Sequence, residues 1–278
     1  MTIASDYQND IADYWNAERN PVNLRLGQVS GLYHHHYGIG EVDWSVLETS
    51  DDARREEAVI AELHRLENAQ ARLLLSHLGD IRPEHRLLDA GSGRGGTGFM
   101  AHAAFGCRVD GVSISRSQVD FANDQAAKAG VPDRVRFHFR NMLDTGFDSG
   151  AFRAIWNNES TMYVVLDDLF AEHSRLLERG GRYVTITGCY NDVYGLPSRA
   201  VSTINAHYVC DIHPRSGYFR AMASNRLVPV SVIDLTPQTI PYWELRQKSS
   251  VATGIESTFL EAYRDGGFQY LLIAADRV

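Results

Sequence analysis

The sequence has little cysteine and no long apolar run. Its 278 residues include three cysteines, Cys107, Cys189 and Cys210, and none of them forms a C-x-x-C pair. Because disulfide frameworks use dense, even sets of cysteines, we expect three free thiols in a reducing compartment. No stretch approaches the roughly 20 apolar residues that span a bilayer, and the N-terminus lacks the basic start and apolar core of a signal peptide. These absences predict a cytoplasmic protein that does not act on a membrane.

The sequence also has fewer basic than acidic residues. The chain has 27 Lys and Arg residues against 35 Asp and Glu residues, which gives a formal charge of −8. This balance argues against nucleic-acid binding as the main task, although a few local basic residues can still hold an anionic small molecule. Apolar residues make up 44% of the chain, enough to bury a sizeable core. We expect a folded homo-oligomer with a small-molecule substrate.

Beyond a mixed N-terminal segment, strands and helices alternate. A helix is predicted over 51–78, where Leu63, Leu66 and other apolar residues recur at helical spacing. From residue 86 onward the alternation predicts a parallel sheet with helices on both faces. Residues 189–215 do not fit it and are predicted to be an inserted lid over the carboxyl ends of the strands. The predicted strands are 86–90, 108–112, 135–139, 154–157, 183–187, 228–235 and 269–274, and the later helices are 95–105, 115–130, 166–177, 217–224 and about 237–263.

The most informative segment is a glycine-rich loop that follows the first predicted strand. Gly91, Gly93 and Gly96 satisfy the spacing G-x-G-x-x-G, which is typical of dinucleotide-binding loops. Asp110 lies about twenty residues further on, where such a fold places a ribose-binding acid. On spacing alone, a nicotinamide-dependent oxidoreductase is therefore one interpretation.

Asp89 favours a different ligand. It precedes the loop and faces the space where a dinucleotide would place its charged pyrophosphate, which a carboxylate repels. S-adenosylmethionine has no phosphate and carries an ammonium and a sulfonium, both of which a carboxylate attracts. The loop D-A-G-x-G-x-G-G resembles motif I of the class I S-adenosylmethionine-dependent methyltransferases. The resemblance implies a Rossmann-like α/β sheet and places Asp89, Gly91 and Gly93 at the cofactor.

A subgroup of these enzymes methylates alkene carbons, and its second strand is similar to residues 111–118. By that resemblance Ser113 and Gln118 would hold the ribose hydroxyls, although Gln118 also fits a helix capping box with Ser115. Asn141 and Met142 stand where the family has its adenine contacts.

Polar residues cluster at two further places. The fourth strand ends in Asn157, Asn158 and Glu159; either amide is a candidate for the amino-acid portion of the cofactor, and Glu159 is a candidate proton acceptor. Near the N-terminus three histidines occupy 34–36. Adjacent histidines do not converge easily on one ion, and no Cys or carboxylate is spaced to complete a tetrahedral set. We instead predict a polar pocket for anionic oxygens, formed by Asn23, Arg25, His35 and His36.

Taken together, segments along nearly the whole chain resemble the geranyl diphosphate 2-C-methyltransferase family. They include N-L-R-L-G, G-L-Y-H-H-H-Y-G-I-G, N-N-E-S-T-M-Y, I-N-A-H-Y, P-Y-W-E-L-R and F-Q-Y-L-L-I-A-A-D-R-V. The resemblance implies methylation of C2 of geranyl diphosphate to 2-methylgeranyl diphosphate, as in 2-methylisoborneol-type terpenoid biosynthesis. It also implies a cation at C3, loss of a proton from C2, and Mg²⁺ held through the diphosphate and water, without protein ligands.

For these steps the resemblance assigns tasks to residues of this chain. Glu159 and Tyr37 are the candidates for deprotonation. The candidate walls around the cation are Tyr208, Trp156 and Tyr163, with Tyr208 standing where the family is expected to have Phe. Other prenyl substrates remain open, namely isopentenyl, dimethylallyl or farnesyl diphosphate or a prenylated indole, as does a silent S-adenosylmethionine-binding module. The expected organisation is an N-terminal helical cap over 1–80 and a methyltransferase domain over 81–278 that carries the lid.

Overall fold

The N-terminal part of the protein is helical. A computed structural model describes residues 6–17 and 21–278. Helix α3 begins after Asp51, whose side chain accepts a hydrogen bond from the Arg54 backbone N–H at 2.9 Å. Leu63, Leu66 and Leu74 are fully buried on its inner face, which confirms the helix predicted over 51–78. The helices here are α1 (Asp6–Asn16), α2 (Pro21–Gly27) and α3 (Asp52–Ser76), with a single 3₁₀ turn at Trp44–Leu47.

The strands after the N-terminal helices form a seven-stranded sheet in the order β3-β2-β1-β4-β5-β7-β6. Strands β1 to β5 are parallel, but β7 lies antiparallel between β5 and β6, so the expectation of a wholly parallel sheet is wrong at this edge. The alternation of strands and helices along a sequence does not indicate whether a strand runs parallel or antiparallel to its neighbour. The direction of β7 is seen only in the packed structure. The strands are β1 (Arg86–Ala90), β2 (Arg108–Ser113), β3 (Val135–Phe139), β4 (Phe152–Asn158), β5 (Leu177–Tyr190), β6 (Leu227–Asp234) and β7 (Phe268–Arg277).

The helical stretch predicted over about 237–263 is interrupted. Glu256 accepts hydrogen bonds from the backbone N–H groups of Thr253 at 2.9 Å and Gly254 at 2.8 Å. These bonds start a new helix, and Gly254 turns the chain with φ +89°. The helices after β1 are α4 (Gly96–Phe105), α5 (Arg116–Lys128), α6 (Leu166–Leu176), α7 (Arg199–Tyr208), α8 (Arg215–Ser224), α9 (Thr236–Arg246) and α10 (Glu256–Arg264).

The sheet buries an apolar layer on each face. One layer joins α3, α4 and α5 to α7, α9 and α10, and the other holds α6 and α8. The N-terminal helices α2 and α3 share the first layer with the sheet. The three cysteines are free, as predicted. Within 6–17 and 21–278, no helix is long and apolar enough to cross a membrane.

Candidate functional site

Two adjoining spaces open at the carboxyl ends of the central strands. The chain leaves β1 toward β2, and β4 lies on the opposite side of β1, so a topological switch point lies here. One is an outer cleft and the other is an inner cavity. Both spaces are lined by Trp15, His35, Glu159 and Tyr163.

The glycine loop forms the floor of the outer cleft. Gly91 (φ +80°) and Gly93 (φ +54°) both line it and have left-handed backbone conformations. A Cβ atom on Gly91 would lie 2.5 Å from the Ser160 side chain, and one on Gly93 would lie 2.8 Å from the His35 ring. Only glycine allows the loop to pack this closely against its surroundings.

Ser113 and Gln118 lie together on the wall of the outer cleft. The Ser113 hydroxyl donates to Gln118 Oε1 at 3.0 Å, and the Ser115 N–H donates to the Ser113 hydroxyl at 3.1 Å. The Gln118 side chain therefore turns to Ser113, whereas a capping box would direct it to the Ser115 N–H. Asn141 and Met142 line the same cleft, and the Asn141 amide also donates to Gln8 of α1 at 3.1 Å.

Of the two amides at the end of β4, only Asn158 reaches the cleft. Asn157 is fully buried, and its amide donates to Ala90 O at 2.7 Å and to the Ser160 hydroxyl at 2.9 Å, while its Oδ1 accepts from Tyr183. Asn157 therefore does not line the outer cleft, which is contrary to its choice as a cofactor-binding residue, and the other candidate amide, Asn158, does line it. Successive side chains of a strand point to opposite faces of the sheet, and the sequence does not indicate which of the two asparagines faces the cleft.

Asp89 lines a small recess behind the glycine loop. The recess shares Gly91, His35 and Asn158 with the outer cleft. Burial raises the pKa of Asp89 to about 8, and the Trp156 indole beside it offsets part of the shift. A cation bound here would favour the carboxylate form.

Asp110 does not reach either space. Its carboxylate accepts from Arg86 at 2.6 Å and meets His138 Nε2 at 2.7 Å, and these contacts outweigh burial and lower its pKa. It pairs with Leu88, two residues before β1 ends. Asp110 is thus a structural ion-pair residue and not a ribose-binding acid, so that part of the sequence argument for a dinucleotide is removed.

Glu159 joins the outer cleft to the inner cavity. Its backbone is left-handed, with φ +52°, a conformation that non-glycine residues seldom adopt away from functional sites. Burial raises the pKa of its carboxyl group to about 8, and the Tyr270 hydroxyl beside it offsets part of the shift. The Oε1 atom is buried and has no hydrogen-bond partner among the described residues.

The inner cavity is aromatic and closed by the predicted insertion. Helix α7 and the residues after it supply Ile204, Tyr208, Cys210 and Ile212. Tyr37 and Tyr208 lie next to each other in its wall, and burial raises the pKa of Tyr37 well above its usual value. The other aromatic residues that line it are Trp15, Tyr163, Phe259 and Phe268.

Trp156 lies outside both spaces, so its prediction as a cavity wall is wrong. Its side chain is fully buried in the core beside Asp89. Trp15 of α1 supplies an indole that lines both spaces instead. The sequence offered no sign of this, because the N-terminal segment had no clear periodicity.

The histidines are neutral polar groups. Burial holds the pKa of His35 and of His36 well below the usual value, and Arg94 contributes at His35. His35 bonds to the Asn23 amide at 2.9 Å and to Arg94 at 3.1 Å. His36 Nδ1 bonds to the Tyr37 carbonyl at 3.1 Å, which makes Nε2 an acceptor, and that atom has no partner within the described part of the chain. Asn23, His35 and His36 all line the inner cavity.

The cation of the inner cavity is Arg246, which the sequence interpretation missed. Arg25 points away from the cavity, to Glu56 at 3.2 Å and to Ser250, and its assignment to the substrate is wrong. Arg246 is 3% exposed and pairs with Glu256 at 3.1 Å. Its Nη2 atom is buried without a hydrogen-bond partner among the described residues. Residues 6–17 and 21–278 contain no group of three metal-ligating side chains.

The fold and the outer cleft define a class I S-adenosylmethionine-dependent methyltransferase. Residues 87–181 match the "Methyltransferase domain" family. A sarcosine dimethylglycine methyltransferase structure from Galdieria sulphuraria, described as putative, has the same fold, with a TM-score of 0.73 at 15% identity.

Much closer relatives identify the family. The chain is 73% identical over 277 residues to geranyl diphosphate 2-C-methyltransferase of Saccharopolyspora erythraea, covering 100% of this chain and 97% of that one. A crystal structure of geranyl diphosphate C-methyltransferase from Streptomyces coelicolor A3(2), in complex with Mg²⁺, geranyl-S-thiolodiphosphate and S-adenosyl-L-homocysteine, has a TM-score of 0.98 at 62% identity, over 100% of both chains. The chain belongs to the geranyl diphosphate 2-C-methyltransferase family, which confirms the resemblance and its predicted cofactors.

Proposed function

We propose that this chain transfers the methyl group of S-adenosylmethionine to C2 of geranyl diphosphate and releases 2-methylgeranyl diphosphate. The observation that carries this proposal is the position of Glu159 between the two spaces, with one carboxylate oxygen free of partners among the described residues. A methyl donor in the outer cleft and an alkene in the inner cavity would meet beside that oxygen.

The outer cleft suits the cofactor. When bound, S-adenosylmethionine supplies an electrophilic methyl group. Ser113 and Gln118 offer hydroxyl and amide groups for the ribose, and Asn141 and Met142 offer a polar and an apolar contact for the adenine. Asp89 and Asn158 lie toward the recess, where they would receive the amino-acid portion.

The inner cavity suits a positively charged hydrocarbon intermediate. When the C2=C3 π electrons form the new bond to the methyl carbon, C3 is left as a tertiary cation. Tyr163 and Tyr208 present aromatic rings to the cavity, and a ring face stabilises a nearby cation by about 0.5–2 kcal/mol. The aromatic lining also limits access of water, which would trap the cation as an alcohol.

Glu159 is the proposed proton acceptor. The C2–H bond breaks, its electron pair restores the C2=C3 double bond, and the proton passes to the carboxylate. Tyr37 is less suited to this step, because burial raises its pKa and keeps it protonated. A general base of this kind typically contributes about 10²–10⁴-fold to the rate.

Arg246 is the proposed partner of the diphosphate. It is a permanent cation in the wall of the inner cavity, with Nη2 available. Mg²⁺ prefers phosphate oxygens and retained waters, so the metal would be held through the diphosphate of the substrate. The unpartnered Nε2 of His36 is an acceptor suited to a metal-bound water.

The expected organisation into segments is part of the proposal. Residues 1–80 would act as a cap that covers the substrate, and residues 189–215 as a lid on the methyltransferase domain of residues 81–278. Trp15, Asn23 and Tyr37 from the first segment, and Tyr208 from the second, line the inner cavity. A homo-oligomer and a cytoplasmic location stay predictions, which sedimentation and cell fractionation test.

The proposal is tested by incubating the purified protein with methyl-labelled S-adenosylmethionine and a panel of prenyl diphosphates. We expect labelled product of the mass of methylgeranyl diphosphate, formed faster than products of the isopentenyl, dimethylallyl and farnesyl compounds. A faster reaction with another member of the panel would assign the enzyme to that substrate. Tight binding of NADH without labelled product would favour an oxidoreductase.

The metal is tested separately with EDTA. We expect EDTA to abolish methylation of geranyl diphosphate and added Mg²⁺ to restore it, while the affinity for S-adenosylmethionine stays the same. Full activity in EDTA would contradict the role of Mg²⁺.

A further inference from the structure

Gln70 of α3 joins the side chains of Asn158 and Tyr270 beneath the two spaces. It is fully buried, and its Nε2 donates to Asn158 Oδ1 at 2.6 Å and to the Tyr270 hydroxyl at 3.0 Å. Its Oε1 accepts from Asn158 Nδ2 at 2.9 Å. One amide side chain is therefore bonded both to the wall of the outer cleft and to a tyrosine of β7.

The direction of these bonds determines what Tyr270 does at Glu159. An amide NH₂ group can only donate, so the Tyr270 oxygen accepts from Gln70 and keeps its own hydrogen for another acceptor. The acceptor beside it is the Glu159 carboxyl group, whose pKa the Tyr270 hydroxyl lowers as a donor would. The opposite orientation of the amides would turn the Tyr270 hydrogen toward Gln70 and leave the carboxylate without this charge-assisted bond, which is the stronger kind.

We propose that Gln70 and Tyr270 are positioning residues for the removal of the C2 proton. Tyr270 holds the Glu159 carboxylate by a hydrogen bond, Oε1 remains available for the proton, and Gln70 fixes the Tyr270 hydroxyl as a donor. Through Asn158 the same Gln70 side chain aligns the outer cleft with the inner cavity. The inference rests on the proposed role of Glu159.

Glu159 is the group that titrates in this environment. The hydroxyl and thiol groups that face Glu159 have pKa values raised above their usual range by burial, so they are neutral near pH 7. His35, in the wall of both spaces, is also neutral, because burial lowers its pKa. These hydroxyls and thiols belong to Tyr37, Tyr163, Tyr218, Tyr263, Cys189 and Cys210, in addition to Tyr270.

Tyr270→Phe removes only the donor to Glu159. We expect kcat to fall about tenfold or more, the size of a lost hydrogen bond to a charged group. The acid limb of the pH profile should move to higher pH, because the carboxylate has lost a stabilising donor. With geranyl diphosphate carrying deuterium at C2, the isotope effect on kcat should increase, because proton removal becomes slower. The affinity for S-adenosylmethionine should not change.

Gln70→Leu separates the two tasks of the amide. We expect the same changes in kcat and isotope effect, together with weaker binding of S-adenosylmethionine, because Asn158 loses its partner. The matched control is Tyr218→Phe, which removes the hydroxyl of a buried tyrosine that bonds to Thr161 and Thr187. This control should keep the parent isotope effect and pH profile.

Two results would overturn the inference. A Tyr270→Phe variant with the parent kcat, isotope effect and pH profile would show that the hydroxyl does not position Glu159. A Gln70→Leu variant with unchanged or higher kcat would show that Tyr270 donates to the amide. Glu159→Gln distinguishes this failure from failure of the proposed function: if that variant is inactive while Tyr270→Phe is normal, only the positioning role is wrong.

Discussion

Tyr37 and Tyr208 lie next to each other in the wall of the inner cavity, where the Tyr37 hydroxyl offsets part of the rise that burial causes in the pKa of Tyr208. The hydroxyl that Tyr208 adds therefore has a polar neighbour in the cavity wall, as a buried hydroxyl requires. The Tyr208 ring is one of the two proposed tyrosine walls around the cation at C3.

Substitution of Tyr208 separates its ring from its hydroxyl. Tyr208→Phe keeps the ring, and because the hydroxyl lies inside the cavity we expect a changed product distribution or preferred prenyl length. Tyr208→Leu loses the ring, and we expect methylation to slow about tenfold or more, consistent with the strength of a cation–π contact. A Leu variant as fast as the parent, with the same product, would show that Tyr208 does not stabilise the cation.

Asp89→Asn tests the charge at the recess. The pKa of Asp89 is about 8 in the protein without ligands, so the group gains its negative charge as the pH rises toward that value. Binding of a cationic cofactor should therefore tighten by up to about tenfold per pH unit below 8 and level off above it. Asp89→Asn should bind S-adenosylmethionine more weakly and lose this dependence. Isothermal titration from pH 6 to 9 measures both, and unchanged affinity in the variant would contradict the assignment.

Glu159 gives the reaction its own pH dependence. The carboxylate accepts a proton only when it is ionised, and burial raises its pKa to about 8 in the free protein. We expect kcat/KM for geranyl diphosphate to fall about tenfold per pH unit below that value. A bound cationic cofactor stabilises the carboxylate, so the midpoint for kcat should lie at lower pH. Initial rates from pH 5.5 to 9 measure both profiles.

Glu159→Gln is the matching variant. It should still bind S-adenosylmethionine but lose about 10²–10⁴-fold in turnover. If it retained near-parent turnover, Tyr37 or the diphosphate itself would become the proton acceptor.

Arg246 and Arg25 make a direct comparison of two arginines. Arg246→Met should raise KM for geranyl diphosphate about 100-fold, in the range for loss of a buried charged partner. Arg246→Lys keeps the positive charge next to Glu256, so its KM should rise less than that of Arg246→Met. This variant serves as a control for a folding defect caused by an unpaired Glu256. Arg25→Ala should behave like the parent, because Arg25 bonds to Glu56 and Ser250. Steady-state kinetics measure all three, and a large effect only in Arg25→Ala would restore the original prediction.

The sequence predicts those parts of the site that follow strand ends in the chain. Gly91 and Glu159 come directly after β1 and β4, while Ser113 ends β2 and Asn141 lies two residues after β3. Parallel strands carry such positions to one edge of a sheet. Sequence alone did not decide between Asn157 and Asn158, since that choice depends on which face of the pleat each residue occupies.

Residues brought in from distant helices could not be predicted in the same way. Arg246 lies in α9, and its task depends on burial in the cavity wall and on its pairing with Glu256, neither of which a local pattern reveals. Trp15 enters from α1 for similar reasons. The antiparallel placement of β7 likewise depends on packing that strand–helix alternation does not specify.

The central claim is that methyl transfer to C2 of geranyl diphosphate is followed by loss of the proton that C2 carried. The most direct measurement is turnover of geranyl diphosphate labelled with deuterium at C2, with the product examined by NMR and mass spectrometry. The account predicts a single new methyl group on C2 and complete loss of the deuterium. A product that retains the deuterium, or that carries the methyl group on another carbon, would contradict it.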